Sequence, residues 1–225
     1  MCGRYNLKTN LSDVAREFRA LVQRELPLDP QVDRPRTNIS PTQFVAIIRE
    51  DAAARTLAVA RWGLVPSWSR DTKLAASMIN ARGETVAEKP AFRTAFRKRR
   101  CLIPADAFYE WQAISGTKQK QPLLIERNPP GLLAFAGLWE TWRDPAATTP
   151  EAAMLETTTI ITTSANALMA PVHDRMPVIL PPEQWDVWLD PQTDPAILQP
   201  LLVPAPDDGL TLSLANPDDL RRGVW

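Results

Sequence analysis

An α+β domain is the fold class this chain predicts: apolar runs of strand character dominate its middle and second half, and segments of helical periodicity lie towards both ends. Its 225 residues, 44% of them hydrophobic, can bury one substantial core, and no low-complexity tract or linker divides them. Residues 1–225 are therefore read as a single domain. The most Pro- and Ala-rich stretch, Arg143 to Ala153, lies between two apolar runs and reads as a surface connection of the hairpin type.

The elements follow in order. Ser12 can cap a helix running to about Leu26, because Val14, Phe18, Leu21 and Val22 recur at helical spacing while Arg16, Arg19, Gln23 and Arg24 can face water. Pro27 and Pro30 end it. Strand-like runs follow at Phe44 to Arg49 and Thr56 to Trp62, the second leading into a turn with Gly63 and Pro66. Glu84 to Arg100 is expected to be mostly helical, with a break near Pro90 and a solvated basic end of Arg97, Lys98, Arg99 and Arg100. From there strands prevail: Cys101 to Ile103, Ala107 to Trp111, Pro122 to Glu126, Leu132 to Trp142, Thr157 to Thr163, Pro177 to Leu180 and Leu210 to Leu214. Many are apolar throughout, which suits strands covered on both faces. Short helices are expected from Pro182 to Leu189 and from Pro195 to Leu202.

Composition excludes several classes. No apolar stretch approaches the ~18 to 20 residues of a membrane span, and charged residues come early at the N-terminus, so a cytoplasmic protein without a membrane partner is expected. Two cysteines, Cys2 and Cys101, and one histidine, His173, supply neither a disulfide framework nor a metal cluster; neither metal nor cofactor is expected. The formal net charge is zero, yet residues 1–100 hold 19 Lys or Arg against 10 Asp or Glu, leaving 7 against 16 for the remainder. A basic groove opposite an acidic surface becomes possible if that asymmetry persists in space.

Four residues carry candidate chemistry. Cys2 directly follows Met1, so loss of the methionine would place an α-amine and a thiol on adjacent carbons. Such an aminothiol condenses with an aldehyde, first as a Schiff base and then, intramolecularly, as a thiazolidine. With ordinary pKa values of roughly 8 and 8.5, both groups need activation by neighbours. Position alone leaves an inert cysteine equally open. His173 lies in a polar run between two strands, where a proton-transfer group can be held at a sheet end. Glu110 would share a strand face with Phe108, and partial desolvation there would raise its pKa as a general acid/base requires; a rim glutamate paired with an arginine is the simpler account of the residue by itself. Asn80 offers an acceptor and a donor without a change of charge, and Arg82, two residues on, would point the same way in an extended segment. A helix cap with a salt bridge fits the same residues, Glu84 then marking a helix start.

Taken together, Met1-Cys2-Gly3-Arg4, Asn38-Ile39-Ser40-Pro41, Trp62-Gly63-Leu64-Val65-Pro66, Ile79-Asn80-Ala81-Arg82-Gly83-Glu84-Thr85, Cys101-Leu102-Ile103-Pro104-Ala105, Phe108-Tyr109-Glu110-Trp111 and Val172-His173-Asp174-Arg175-Met176-Pro177 resemble, in order and chemistry, the SOS response-associated peptidase (SRAP) family of abasic-site processing proteins. The resemblance spans residue 1 to about residue 180. It implies a curved, barrel-like, mostly antiparallel sheet flanked by helices. It also implies catalytic roles for Cys2, Asn80, Glu110 and His173, the histidine lying beside the terminal cysteine and contacting the opened sugar. Phosphate contacts from Arg4, Arg82 and Arg175 would go with base stacking on Trp68 and Pro41. Relatives commonly carry a second aromatic after Trp68, where this chain has Ser69, and Arg70 to Ala76 is longer than in some of them.

The expected activity is capture of a ring-opened abasic site in single-stranded DNA as a thiazolidine on Cys2, by a monomer acting at single-strand to double-strand junctions. It is a lyase-like enzymatic function of the DNA damage response. Two alternatives remain: a cysteine peptidase in which Cys2 and His173 act on the protein's own N-terminus, and a single-stranded DNA binding module without covalent chemistry.

Overall fold

In this computed structural model the described residues are 2–22, 32–50, 54–149 and 154–221. Along them run β1 (Tyr5–Leu7), α1 (Leu11–Glu17), β2 (Leu21–Val22), β3 (Arg36–Ile39), β4 (Phe44–Glu50), β5 (Arg55–Trp62), β6 (Asn80–Arg82), α2 (Arg93–Lys98), β7 (Arg100–Ala105), β8 (Ala107–Ala113) and β9 (Lys120–Arg127). There follow β10 (Leu133–Arg143), β11 (Met154–Ser164), β12 (Arg175–Pro177), α3 (Trp185–Leu189), α4 (Pro195–Leu198), β13 (Leu210–Leu214) and α5 (Pro217–Arg221).

One sheet closes on itself. Strands β11, β10, β7, β4 and β5 are consecutive antiparallel neighbours, and β5 returns to β11 through the parallel pairs Arg61 with Thr157 and Trp62 with Thr158. This closure makes the curved, barrel-like α+β fold expected from the sequence. Closure removes free edges and explains why β7, all six residues buried, and β11, with Thr157, Thr158, Thr159, Ile160 and Ile161 fully buried, read as uninterrupted core. Two of the β11 threonines satisfy their buried hydroxyls locally: Thr157 and Thr158 donate to the carbonyls of Glu140 and Leu138. Gly63 ends β5 at φ +120, with a Cβ position only 2.6 Å from the Ala75 carbonyl oxygen, so no other residue fits that turn.

A second antiparallel sheet, ordered β13, β9, β8, β1, β3, packs on the barrel through aromatic rings. Tyr5 of β1 meets Trp62 and Phe135 edge-on at 5.4 and 6.0 Å, and Phe108 of β8 meets Phe135 at 5.9 Å. Such offset contacts add roughly 0.5 to 1.5 kcal/mol each beyond area burial. These rings lie at the junction of the two sheets and underlie the N-terminal segment that precedes β1.

Two expectations change. Asn10, not Ser12, caps α1, its Oδ1 accepting from the Asp13 N–H at 2.9 Å, and the helix stops at Glu17. Phe18 stacks on Trp185 at 4.4 Å, Arg19 takes a positive φ of 52°, and Leu21 and Val22 join β5 as a parallel strand, so tertiary pairing overrides the helical periodicity. The expected continuation to Leu26 falls outside the described residues. Likewise only Arg93–Lys98 is helical within Glu84 to Arg100, because the chain turns repeatedly through residues 83 to 88 before Pro90.

The basic end of that segment divides: Arg97 and Lys98 are exposed, as expected, whereas Arg99 and Arg100 turn inward. Arg100 is buried and donates to four carbonyls, those of Trp188, Phe96, Arg97 and Asp190, tying α2 and α3 to β7; desolvation pulls its pKa down to about 10. Arg99 pairs with Glu140 at 2.6 Å. The stretch from Arg143 is a β10–β11 hairpin connection, as expected, with residues 150–153 outside the described set. Among the described residues no helix is long and apolar enough to cross a membrane.

Candidate active site

The N-terminal segment runs antiparallel beside β8. Tyr5 pairs with Phe108, Asn6 with Ala107, and the Tyr109 N–H donates to the Arg4 carbonyl at 2.9 Å. Carrying that register back brings Gly3 and Cys2 alongside Glu110 and Trp111. The strand alternation expected of β8 holds: Phe108 faces Phe135, while Tyr109 and Trp111 approach each other at 6.5 Å on the opposite face.

Cys2 is fully buried. On its other side β6 lies parallel to β11, Asn80 opposite Ile160 and Arg82 opposite Thr162. Asn80 and Arg82 therefore share a face, as the extended reading of the segment requires. The Asn80 amide donates to the Cys2 carbonyl at 3.0 Å, whereas its Oδ1 is buried without a hydrogen-bond partner among the described residues. Trp62 supports this segment from below, its indole N–H donating to the Ile79 carbonyl at 2.9 Å.

Glu110 is 3% exposed. Burial raises its pKa, and His173, whenever its ring is protonated, is among the charges that oppose that rise. The same surroundings act on Cys2: burial pushes its thiol up, and the Glu110 charge pushes it further. Cys2 in the unprocessed chain is thus held as the neutral thiol. His173 follows the turn after β11, its own N–H bonded to the Met169 carbonyl at 3.0 Å. Its Nδ1 accepts from the Arg175 N–H at 2.9 Å and lies 2.8 Å from Asp174 Oδ1. The backbone amide is a fixed donor, so it sets Nδ1 as acceptor and leaves the proton on Nε2; the exposed Asp174 can pair only with an Nδ1 that is itself protonated.

The remaining candidates surround this group. Arg4 Nη1 donates to Asn38 Oδ1 at 2.8 Å, and Asn38, at a positive φ of 53°, also donates its N–H to Asn6 Oδ1 at 2.9 Å. The Asn38 motif thereby acts as a clasp for Arg4, a role readable only from the tolerance of asparagine for left-handed backbone. Arg82 is exposed. Pro41 is half-buried and Trp68 is 62% exposed, a large ring left in water. Ser69 turns inward: its carbonyl accepts from the Trp142 indole N–H at 2.7 Å and its hydroxyl donates to the Asp71 carbonyl, fixing the loop that presents Trp68.

Arg175 is already engaged. Both Nη atoms bond the Glu84 carboxylate, the Nη2 contact measuring 2.9 Å, and Nη2 also donates to the Thr162 carbonyl at 2.7 Å. Glu84 is therefore an ion-pair partner in a turn and starts no helix, and its pKa is lowered chiefly by the Arg175 hydrogen bonds. This pair spans 91 residues, and nothing in the sequence links its members.

These observations define a buried cysteine near the N-terminus, flanked by an orienting amide, a desolvated carboxylate and the chain's one imidazole. Comparison with known proteins places the arrangement. The chain is 44% identical over 211 residues to Abasic site processing protein YoqW of Bacillus subtilis, covering 93% of this chain and 90% of that protein. It is 41% identical over 225 residues to Abasic site processing protein YobE of the same organism, covering 98% of each. Abasic site processing protein HMCES of Pongo abelii is 34% identical over 169 residues, covering 62% of this chain and 47% of that protein. Among solved structures, a Bacteroides thetaiotaomicron protein superposes with a TM-score of 0.86 at 26% identity, covering 98% and 94% of the two chains. One from Bordetella bronchiseptica reaches 0.76 at 30% identity, covering 96% and 100%. The family model described as SOS response associated peptidase (SRAP) matches residues 1–216, and the chain belongs to that family.

Proposed function

We propose that this protein captures ring-opened abasic sites in single-stranded DNA as a thiazolidine on Cys2, once Met1 has been removed. The convergence of Asn80 and Glu110 on a buried cysteine next to the start of the chain carries this reading. The names of its relatives, abasic site processing proteins, support the substrate class.

The chemistry balances with the residues present. The Cys2 amine attacks the C1′ aldehyde, the nitrogen–carbon bond forms, and the ammonium proton passes to Glu110. The aldehyde oxygen takes two protons in all from Glu110, one as the amine adds and one as the carbinolamine hydroxyl leaves as water, while His173 Nε2–H hydrogen-bonds the departing oxygen, and an iminium remains. The thiol then adds its sulfur to the same carbon while its proton returns to Glu110. Two bonds form and one water is released. A carboxyl group held above the ordinary carboxylate range suits this repeated exchange near neutral pH. The neutral thiol favours the amine as first nucleophile, and proximity makes ring closure effectively intramolecular. Asn80 fixes the Cys2 carbonyl, and its Oδ1, which has no partner among the described residues, is available to orient the amine.

Arg4, held by Asn38, and the exposed Arg82 are the phosphate contacts of this proposal, with Trp68 and Pro41 as the stacking surface beside the strand. Action at junctions by a monomer belongs to the same reading. A peptidase using Cys2 and His173 would need a thiolate, and the direction in which burial and Glu110 move the thiol opposes one. Denaturing electrophoresis of the mature protein with an abasic oligonucleotide tests the proposal: a heat-stable covalent band is expected, and free DNA with retained native binding would reduce the protein to a binding module.

A further inference from the structure

Arg97 and Lys98, the exposed part of the basic run, stand at the end of a longer row of cations. Arg82, Lys89, Arg93, Arg97 and Lys98 are all exposed. A ladder of backbone bonds sets them in sequence: the Thr85 N–H donates to the Arg82 carbonyl at 3.1 Å, the Lys89 N–H to Thr85 at 3.0 Å and the Arg93 N–H to Lys89 at 2.9 Å, where α2 takes over. The last of these bonds has the spacing of a helical turn, so Lys89, Arg93 and Arg97 follow at one-turn intervals and share a face.

Neighbouring carboxylates do not account for this row. Among the described residues, none of Lys89, Arg93, Arg97 and Lys98 lies within ion-pair distance of a carboxylate. Glu84 is held by Arg175. Asp194, which lines one groove of about 590 Å³ with Arg97 and Lys98, caps α4 by accepting from the Ala196 N–H at 2.8 Å. Only Glu88, exposed beside Lys89, offers another carboxylate within residues 82–98. The helix dipole explains half of the row. Arg97 and Lys98 occupy the last turn of α2, where positive charge is favourable, but Arg93 opens the helix and Lys89 precedes it, where positive charge is unfavourable, and the first turn holds no acidic residue. Cations kept at the unfavourable end, unpaired and in water, point to an anionic partner outside the chain.

The form of that partner follows from what the row lacks. Surfaces for single strands combine cations with exposed rings on which bases stack. Phe92 and Phe96, the aromatic residues of this stretch, are buried. Charge without rings reads phosphates alone, which suits a duplex whose bases are stacked inside it. We propose that Lys89, Arg93, Arg97 and Lys98 form a sequence-independent contact surface for a duplex arm adjoining the captured single strand, continuous with the phosphate contact at Arg82. This surface rests on the DNA reading of the Cys2 site, and its test is separate from the covalent reaction.

Abasic-free DNA provides that test: a single strand, and the same strand carrying a duplex arm on its 5′ or its 3′ side, are titrated with full-length mature protein and with the triple variant Arg93→Gln, Arg97→Gln, Lys98→Gln. Anisotropy over about 50 to 200 mM salt reads the slope of log K against log salt, to which each duplex phosphate contact contributes about 0.9. With the wild type, one of the two arms should steepen the slope by about 3.6, the sum for four contacts, and the variant should keep about 0.9 of that increment. On the bare strand the variant should retain the wild-type slope and affinity, and its melting temperature should be unchanged. A wild-type slope that neither arm steepens, or a folded variant that keeps the full increment, overturns the proposal. So does an equal loss of slope on the bare strand, which would make the row a general phosphate tract. Denaturing gels with an abasic version of the bare strand keep the two readings apart: absence of a covalent band from the wild type defeats the chemistry at Cys2 and leaves the duplex surface to be decided by the salt slopes.

Discussion

Replacing Glu110 by Gln keeps the shape of the side chain and removes its ability to exchange a proton at the Cys2 amine. General acid–base groups contribute about 10²- to 10⁴-fold, which corresponds to roughly 3 to 5 kcal/mol of barrier, and the E110Q rate of covalent capture should fall within that range. Stability should move the other way. The folded-state pKa of Glu110 is raised by burial, so folding favours the neutral carboxyl. The associated stabilisation is present below the unfolded value near 4.3 and is lost as pH rises through the folded value. As pH rises the buried carboxyl group therefore comes to cost stability that Gln does not. Stopped-flow or quenched gel kinetics with an abasic oligonucleotide, paired with thermal melts from acid to mildly alkaline pH, give both quantities. A variant that captures DNA at the wild-type rate, or that loses stability most at alkaline pH, would refute the reasoning.

Three further changes probe separate parts of the structure. Arg100→Met removes four carbonyl contacts that join α2, α3 and β7 and should cost about 3 to 5 kcal/mol, measured by urea unfolding. Asn80→Ala frees the Cys2 carbonyl and should slow capture while leaving DNA affinity within about threefold, measured by anisotropy against single-turnover rates. Trp68→Ala removes a ring that is 62% exposed, so it should leave the melting temperature nearly unchanged and weaken single-strand binding by roughly 1 to 3 kcal/mol on any sequence.

The strands were legible because most carry uninterrupted apolar runs between turn residues, and β7, β8, β10, β11 and β13 lie where those runs predict them. What the runs could not reveal was closure. The parallel contact between β5 and β11 joins residues nearly a hundred positions apart, and neither strand announces its partner. Helix ends were misjudged where tertiary contacts override periodicity: Phe18 leaves its helical face to stack on Trp185, and Leu21 is taken into a sheet. Asn80 and Arg82 share a face as their two-residue spacing dictates, and the resemblance to SRAP proteins had already grouped Cys2, Asn80 and Glu110. The Arg4–Asn38 clasp and the Glu84–Arg175 pair were illegible, because each depends on backbone placement that only the folded chain supplies.

Intact mass spectrometry of the mature protein mixed with an abasic single strand tests the central claim most directly. The account predicts a denaturation-stable product equal to protein plus DNA less one water, formed by the wild type and absent from both Cys2→Ala and protein retaining Met1. The same product from either of those proteins would contradict it, because the bond would then not depend on an amine and a thiol at Cys2.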